Sequence, residues 1–323
     1  MAENAAPSQA PRAPHAVARL RTARLARSAK PFLARGGPRG ERCPGCRLVP
    51  SHCVCSLHPV APTRAGVCLL MADIEPLKPS NTGWLIADVV PDTFAFGWAR
   101  TEVDPALLEL LADPQWQPYV VFPGEFVAPE RVVTEVAPAG ASAGKRPLFI
   151  LLDATWPEAR KMFRKSPYLD ALPVLSLHPE QASTYRLRRS VHGHHLCTAE
   201  VAAACLALAG DVAAAQVLAD WFEVFSAHYL ATRRGLPLDT GSAAHQRLLG
   251  LGQVAQRQLA QRGLVMAQQL AQRLVDALEA AFEIDHRHAD RRVREGAAQG
   301  LLAVAQRRLG APPVGDVADR AGD

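Results

Sequence analysis

Leu148-Phe149-Ile150-Leu151-Leu152-Asp153-Ala154-Thr155-Trp156-Pro157 is the stretch that decides the fold. Five apolar residues in a row are the pattern of a strand buried on both faces, as in a parallel sheet covered by helices on each side. Thr155 can cap the helix that follows, and Pro157 suits a first helical turn, where a missing N–H costs nothing. That helix, read from Glu158 to about Ser166, is basic: Arg160, Lys161, Arg164 and Lys165. Asp153 therefore stands at the carboxyl end of a core strand, where open α/β sheets bind ligands. The competing role for Asp153 is to help cap the helix.

Outward from this unit the same alternation recurs. Val67–Met71 reads as a buried strand running into a loop, Ala72–Ser80, that holds Asp73, Glu75 and Lys78. Asn81 and Thr82 then cap a helix from Gly83 to Asp88. Thr93–Gly97 and Tyr119–Phe122 are further strands, the second ended by the turn signal Pro123-Gly124. After a small-residue loop, Ala137–Lys145, and the Asp153 unit comes the strand Pro173–Leu177. A helix capped by Thr198 follows, then another over roughly Val212–Arg233. Strands alternating with helices imply an α/β fold with a mainly parallel sheet. Beyond about 236 the chain turns rich in Ala, Gln, Arg and Leu. Leu270, Leu274, Leu278 and Phe282 recur every fourth residue, so an amphipathic helix is expected in a partner-facing or self-packing C-terminal extension. Asp285, His286 and His288 read as a solvated turn. The divisions expected are a basic flexible or partly helical arm (1–40), a cysteine knuckle (41–60), a catalytic domain (61–235) and the extension (236–323).

Hydrophobic content of 49% and charged content of 21% are those of a globular protein. No apolar run approaches the roughly 20 residues of a membrane span, and no secretory signal is expected because a continuous apolar N-terminal region is lacking. The net charge of +5 is uneven: residues 1–42 carry nine basic and two acidic residues, +7, leaving −2 for the rest. Such an arm suits a polyanion, with nucleic acid the leading candidate, although a solvated tail or an organellar transit peptide has the same composition.

Four of seven cysteines cluster as Cys43-Pro44-Gly45-Cys46 and Cys53-Val54-Cys55. Pro and Gly inside the first pair let both thiolates face one ion, the first half of a zinc knuckle. His52 and His58 are spare ligands, and disulfides are the alternative. Cys68, Cys197 and Cys205 read as core. Between His178 and Glu200 polar residues are dense, including Ser183, Tyr185, Arg186, Arg188, Arg189 and three histidines. A loop of that length in a compact domain is usually functional, and arginines beside a tyrosine suit phosphate contact and base stacking.

The cysteine knuckle, Pro79-Ser80-Asn81-Thr82-Gly83, Asp153-Ala154-Thr155-Trp156 with Arg160-Lys161-Met162, Ser183-x-Tyr185-x-x-Arg188 and Thr198-Ala199-Glu200 occur in order. Together they resemble the DTW-domain family, the tRNA-uridine aminocarboxypropyltransferases, over roughly residues 15–235. The resemblance implies a SPOUT-like, knotted α/β fold and a cytoplasmic enzyme whose partners are tRNA and S-adenosylmethionine. It implies transfer of the 3-amino-3-carboxypropyl group to N3 of a uridine in the tRNA variable loop, leaving methylthioadenosine. On that implication Asp153, Thr155 and Trp156 are catalytic, and Asn81, Thr82, Gly83, Ser183, Tyr185, Arg188 and Glu200 contact the cofactor or RNA. Cys43, Cys46, Cys53 and Cys55 would hold structural Zn2+. Two positions depart from the family pattern: Ala72, where a histidine is common, and Trp84, where a basic residue is. The rival readings are an S-adenosylmethionine-dependent rRNA-modifying enzyme and a zinc-knuckle RNA-binding protein without catalysis.

Overall fold

The computed structural model describes residues 13–29, 41–137, 144–177, 196–238 and 240–283. Strands β1 (Gly66–Met71), β2 (Thr93–Gly97), β3 (Trp116–Val121), β4 (Val132–Val133), β5 (Arg146–Asp153) and β6 (Val174–Leu175) form one sheet. Their order is β2–β1–β5–β3–β6–β4, and every neighbouring pair is parallel. The central strand β5 is paired to β1 from Gly66↔Leu148 to Met71↔Asp153.

The apolar runs are continuous because both faces of the sheet are covered. Val67, Leu69, Met71, Phe149 and Leu151 point into one core; Cys68, Leu70, Leu148 and Ile150 point into the other, as strand alternation requires. The first core takes Leu85 and Ile86 from helix α2 (Gly83–Val89) and Ala202 and Leu206 from α5 (Thr198–Leu208). It also takes Leu218 and Trp221 from α6 (Val212–Arg234). The second takes Leu107 and Leu110 from α3 (Pro105–Ala112) and Met162 from α4 (Trp156–Arg164). The crossover after β1 lies on one face and that after β2 on the other, while β5 inserts between β1 and β3. The carboxyl ends of β1, β5 and β3 thus form the switch point at which such sheets open a crevice.

Two details differ from the sequence reading. Thr198 is not the cap of its helix: Cys197 holds that position, its N–H donating to Glu200 Oε2 at 2.7 Å, which frees the Thr198 hydroxyl for another partner. The strand expected over Pro173–Leu177 shortens to Val174–Leu175, and α3 and β4 were not foreseen. Within the basic arm, where Ala and Arg are good helix formers, α1 (Ala16–Ala26) starts with the His15 ring accepting the Ala18 N–H. Arg21 Nη1 donates to the carbonyls of Pro76 and Leu77, and Arg24 pairs through two nitrogens with Asp73.

The chain divides into two compact units, 1–250 and 251–323. Of the second, the described part is the run 251–283, the continuation of α7 (Ala243–Glu283). No helix among the described residues is long and apolar enough to cross a membrane.

Candidate active site

Asp153 is the last residue of β5, and its backbone carbonyl accepts the N–H of Ala72, just past β1. The side chain is only 4% exposed, with both carboxylate oxygens engaged. Asn81 Nδ2 donates to Oδ2 at 2.7 Å and Thr198 Oγ1 to Oδ1 at 2.6 Å. Asn81 Oδ1 in turn accepts the N–H of Trp84 at 3.0 Å, fixing the first turn of α2, and Thr82 Oγ1 accepts the N–H of Ala199. Three motifs scattered along the chain therefore meet on one carboxylate. Gly83 lets them do so, because a Cβ there would stand 2.6 Å from Asp153 Oδ2. Helix α4 is capped without Asp153, so the aspartate's work lies in this node.

The node is electrostatically loaded. Burial lifts the Asp153 pKa above the ordinary aspartate range, opposed by donation from Thr198 and Asn81 and by the charges of Lys78 and Arg47. Glu75, also buried, is raised for the same first reason; its pairing with Lys78 Nζ opposes the rise, and the Asp153 charge adds to it. Two acids that resist ionising together, beside a lysine, hold a proton more readily than exposed carboxylates do.

Thr155 opens α4 through a reciprocal cap: its N–H and its hydroxyl both donate to Glu158 Oε2, at 3.2 and 2.5 Å. Its side chain is thereby spent on the helix start. Trp156, 40% exposed, stacks on Phe122 with centroids 5.5 Å apart and meets the Phe126 ring edge-on at 5.9 Å. Glu200 accepts the N–H of Cys197, the α5 cap described above. Ser183, Tyr185 and Arg188 lie outside the described residues, as do Asp285, His286 and His288.

The four clustered cysteines converge. Their sulfur atoms all lie within 4.8 Å of one another. Three of the separations are 3.5 Å (Cys43–Cys55), 3.6 Å (Cys43–Cys53) and 3.7 Å (Cys46–Cys53). A tetrahedral ion with bonds of about 2.3 Å to sulfur needs S···S spacings of about 3.8 Å; a disulfide needs about 2.05 Å. The cysteines are free, and their spacing suits a metal ion. A Cβ on Gly45 would come within 2.8 Å of Cys55 Sγ, so that glycine is a condition of the cluster. Neither spare histidine joins it: His58 Nε2 pairs with Asp88 at 2.9 Å, and His52 Nε2 with the carbonyl of Leu236 at 3.1 Å.

Sequence reasoning passed over the residue that ties this cluster to Asp153. Arg47, in the left-handed region at φ 66°, is buried and donates from Nη1 to the carbonyls of Lys78 and Asn81, both at 3.1 Å. Burial lowers its pKa to about 9, with Asp88 opposing. Its guanidinium lies 4.3 Å from the centroid of Trp84, whose indole N–H donates to the carbonyl of Gly45 at 3.1 Å. Trp84 thus carries a guanidinium laid over its ring. A lone arginine between a cysteine and a leucine gives no sequence signal for such a role.

A parallel α/β sheet with a buried, donor-held carboxylate at its switch point defines a ligand-handling domain of the kind that enzymes use. Residues 40–230, more than half of the chain, match the family model of the DTW domain. The chain belongs to the DTW family, the family of the tRNA-uridine aminocarboxypropyltransferases, whose role is tRNA modification. No solved structure matches the chain.

Proposed function

We propose that the protein transfers the 3-amino-3-carboxypropyl group of S-adenosylmethionine to N3 of a uridine in the tRNA variable loop. The observation that carries the reading is the Asp153 node, built from three DTW motifs at the switch point of the sheet. Uridine N3 attacks the methylene carbon next to sulfur, the C–S bond breaks with its electron pair going to sulfur, and methylthioadenosine leaves as a neutral thioether. The N3–H proton needs an acceptor as attack proceeds, and Asp153, directly or through a water, is that base; its raised pKa suits the task.

Asn81, Thr82 and Gly83 at the start of α2 hold the cofactor, joined by Ser183, Tyr185 and Arg188, and Glu200 sets the α5 start from which Thr198 reaches Asp153. Thr155 shapes the turn into α4, and Trp156 offers a ring to a base. The all-sulfur donor set favours Zn2+; held by Cys43, Cys46, Cys53 and Cys55, it supplies a cross-link that fixes the knuckle. The remaining fold assignment we make is SPOUT-like and knotted. A cytoplasmic site of action agrees with a tRNA substrate and free thiols. Leu251, Val254, Val265, Met266 and Leu270 are exposed on α7, which supports a protein partner or self-association there.

The test is incubation of unmodified tRNA with S-adenosylmethionine labelled separately in the methyl and the carboxyl carbon. Carboxyl label is expected in tRNA and methyl label in methylthioadenosine, with Asp153→Asn binding tRNA but forming no product. Methyl label in RNA would instead make this a methyltransferase. Transfer to rRNA alone would change the substrate, and transfer of neither label would sink the catalytic reading.

A further inference from the structure

The second core does not stop at the surface. Phe163 lies flat on Phe122, centroids 4.3 Å apart and planes 5° apart, and Phe122 lies nearly parallel to Trp156. This ladder of rings runs from the buried face of the sheet out to Trp156 and to Phe126, which is itself 39% exposed. Phe126 sits in the short turn Gly124–Phe126 directly after β3, and Trp156 opens α4 directly after Asp153 and its turn. Both therefore lie on the β3 side of the Asp153 node, while the residues that hold the carboxylate come from the starts of α2 and α5.

Cations line the same surface. The Arg160 guanidinium stands 4.6 Å from the Phe126 centroid, whereas Lys161 turns to the β2 side, its Nζ 5.9 Å from the centroid of Trp98. Arg164 follows one turn on, and the acid of this helix, Glu158, is held by Thr155. Arg160, Lys161 and Arg164 are exposed and make no ion pair among the described residues. Exposed rings cost free energy in water, and unpaired cations beside them attract anions. One ligand chemistry satisfies both: an unpaired nucleobase that stacks, carried on phosphates that pair. An acidic peptide would use the cations and leave the rings unused.

We propose that Phe126 and Arg160, with Arg164 beside them, form a contact for a single-stranded stretch of RNA. Phe126 stacks an unpaired base, and the α4 cations hold its flanking phosphates, leading the strand toward Asp153 from the β3 side. This rests on the reading of RNA as the substrate and adds to it the path by which RNA enters.

The test uses the full chain and unmodified tRNA. Phe126→Leu keeps an apolar side chain of similar size at an exposed position, and Arg160→Gln keeps the stem and removes the charge; melting temperature checks that both fold. Phe126→Leu is expected to weaken tRNA binding roughly tenfold or more, raising KM for tRNA with kcat at saturating tRNA unchanged. The slope of log K against log salt should stay at the wild-type value for Phe126→Leu and fall by about one contact for Arg160→Gln. A single-stranded oligonucleotide should compete better than a duplex of equal charge. Wild-type affinity in a folded Phe126→Leu protein would overturn the proposal while leaving the substrate reading intact. Equal competition by polyglutamate would overturn it too. Failure of the wild-type chain to bind any RNA would overturn both.

Discussion

Asp153 brings a charge into a dry place, and its donors set what that costs. Because burial holds its folded pKa above the unfolded value of about 3.9, the fold favours the protonated form. That contribution is complete below the unfolded pKa and is lost as pH rises through the folded one, above which the carboxylate is ionised in a dry place. A group kept under such strain needs a use, and proton transfer is one. Thr198 and Asn81 each lower the pKa by donating to the carboxylate. Thr198→Val removes one donor and should move the acid limb of the pH–kcat/KM profile to higher pH. A limb that stays in place would assign that ionisation to another group. Asp153 and Asn81 were legible because a strand end and a helix start leave marks in the sequence. The meeting of Thr198 with Asp153 was not, since it depends on where α5 crosses the sheet, and a threonine before a helix reads first as a cap.

At the scale of elements, the cysteine knuckle is fastened to the node. The knuckle carries Arg47, Arg47 holds the carbonyl of Asn81, and Asn81 holds Asp153. Trp84 ties the Gly45 carbonyl to the start of the same helix. Purified protein should therefore contain one tightly held zinc, and stripping it with a chelator should lower the melting temperature and the activity together. Gly45→Ala, which pushes a Cβ against Cys55 Sγ, should reproduce both losses with less bound metal. An unchanged melting temperature after chelation would mean that the knuckle stands without its ion. The long central strands were readable because burial on both faces leaves an unbroken apolar run. The two-residue strand β4 has too few residues to show a period. Helix α3 carried the usual signals, an Asp104 cap and Pro105 in the first turn, but its apolar stripe spans barely two turns.

For the molecule as a whole, the boundary falls later than the composition shift suggested. Ala244 and Leu248, beyond that shift, are in the first core. Arg247 donates twice to Asp220, at 2.6 and 2.7 Å, where Asp220 is 1% exposed. A chain ended after Gly250 should keep the melting temperature and RNA modification of the full protein. One ended after Gly235 loses Ala244 and Leu248 from the core and the Arg247 partner of Asp220, and should lose about 2 kcal/mol or more, read by chemical denaturation. Equal stability of the two truncations would show that the start of α7 contributes nothing to the core.

The Asp153 node also has a consequence in time. Its two donors come from 72 residues before it and 45 residues after it, and the strand that carries it is inserted between two already made, β1 and β3. Contacts so far apart close late, because the intervening chain must be ordered first. A polypeptide emerging from the ribosome displays the knuckle and most of the sheet well before residue 198 is synthesised. Until then the carboxylate lacks one of its two donors, so a half-made chain can fold toward its final shape with the node still incomplete. The node closes only once Thr198 is in place, as a property of the finished domain.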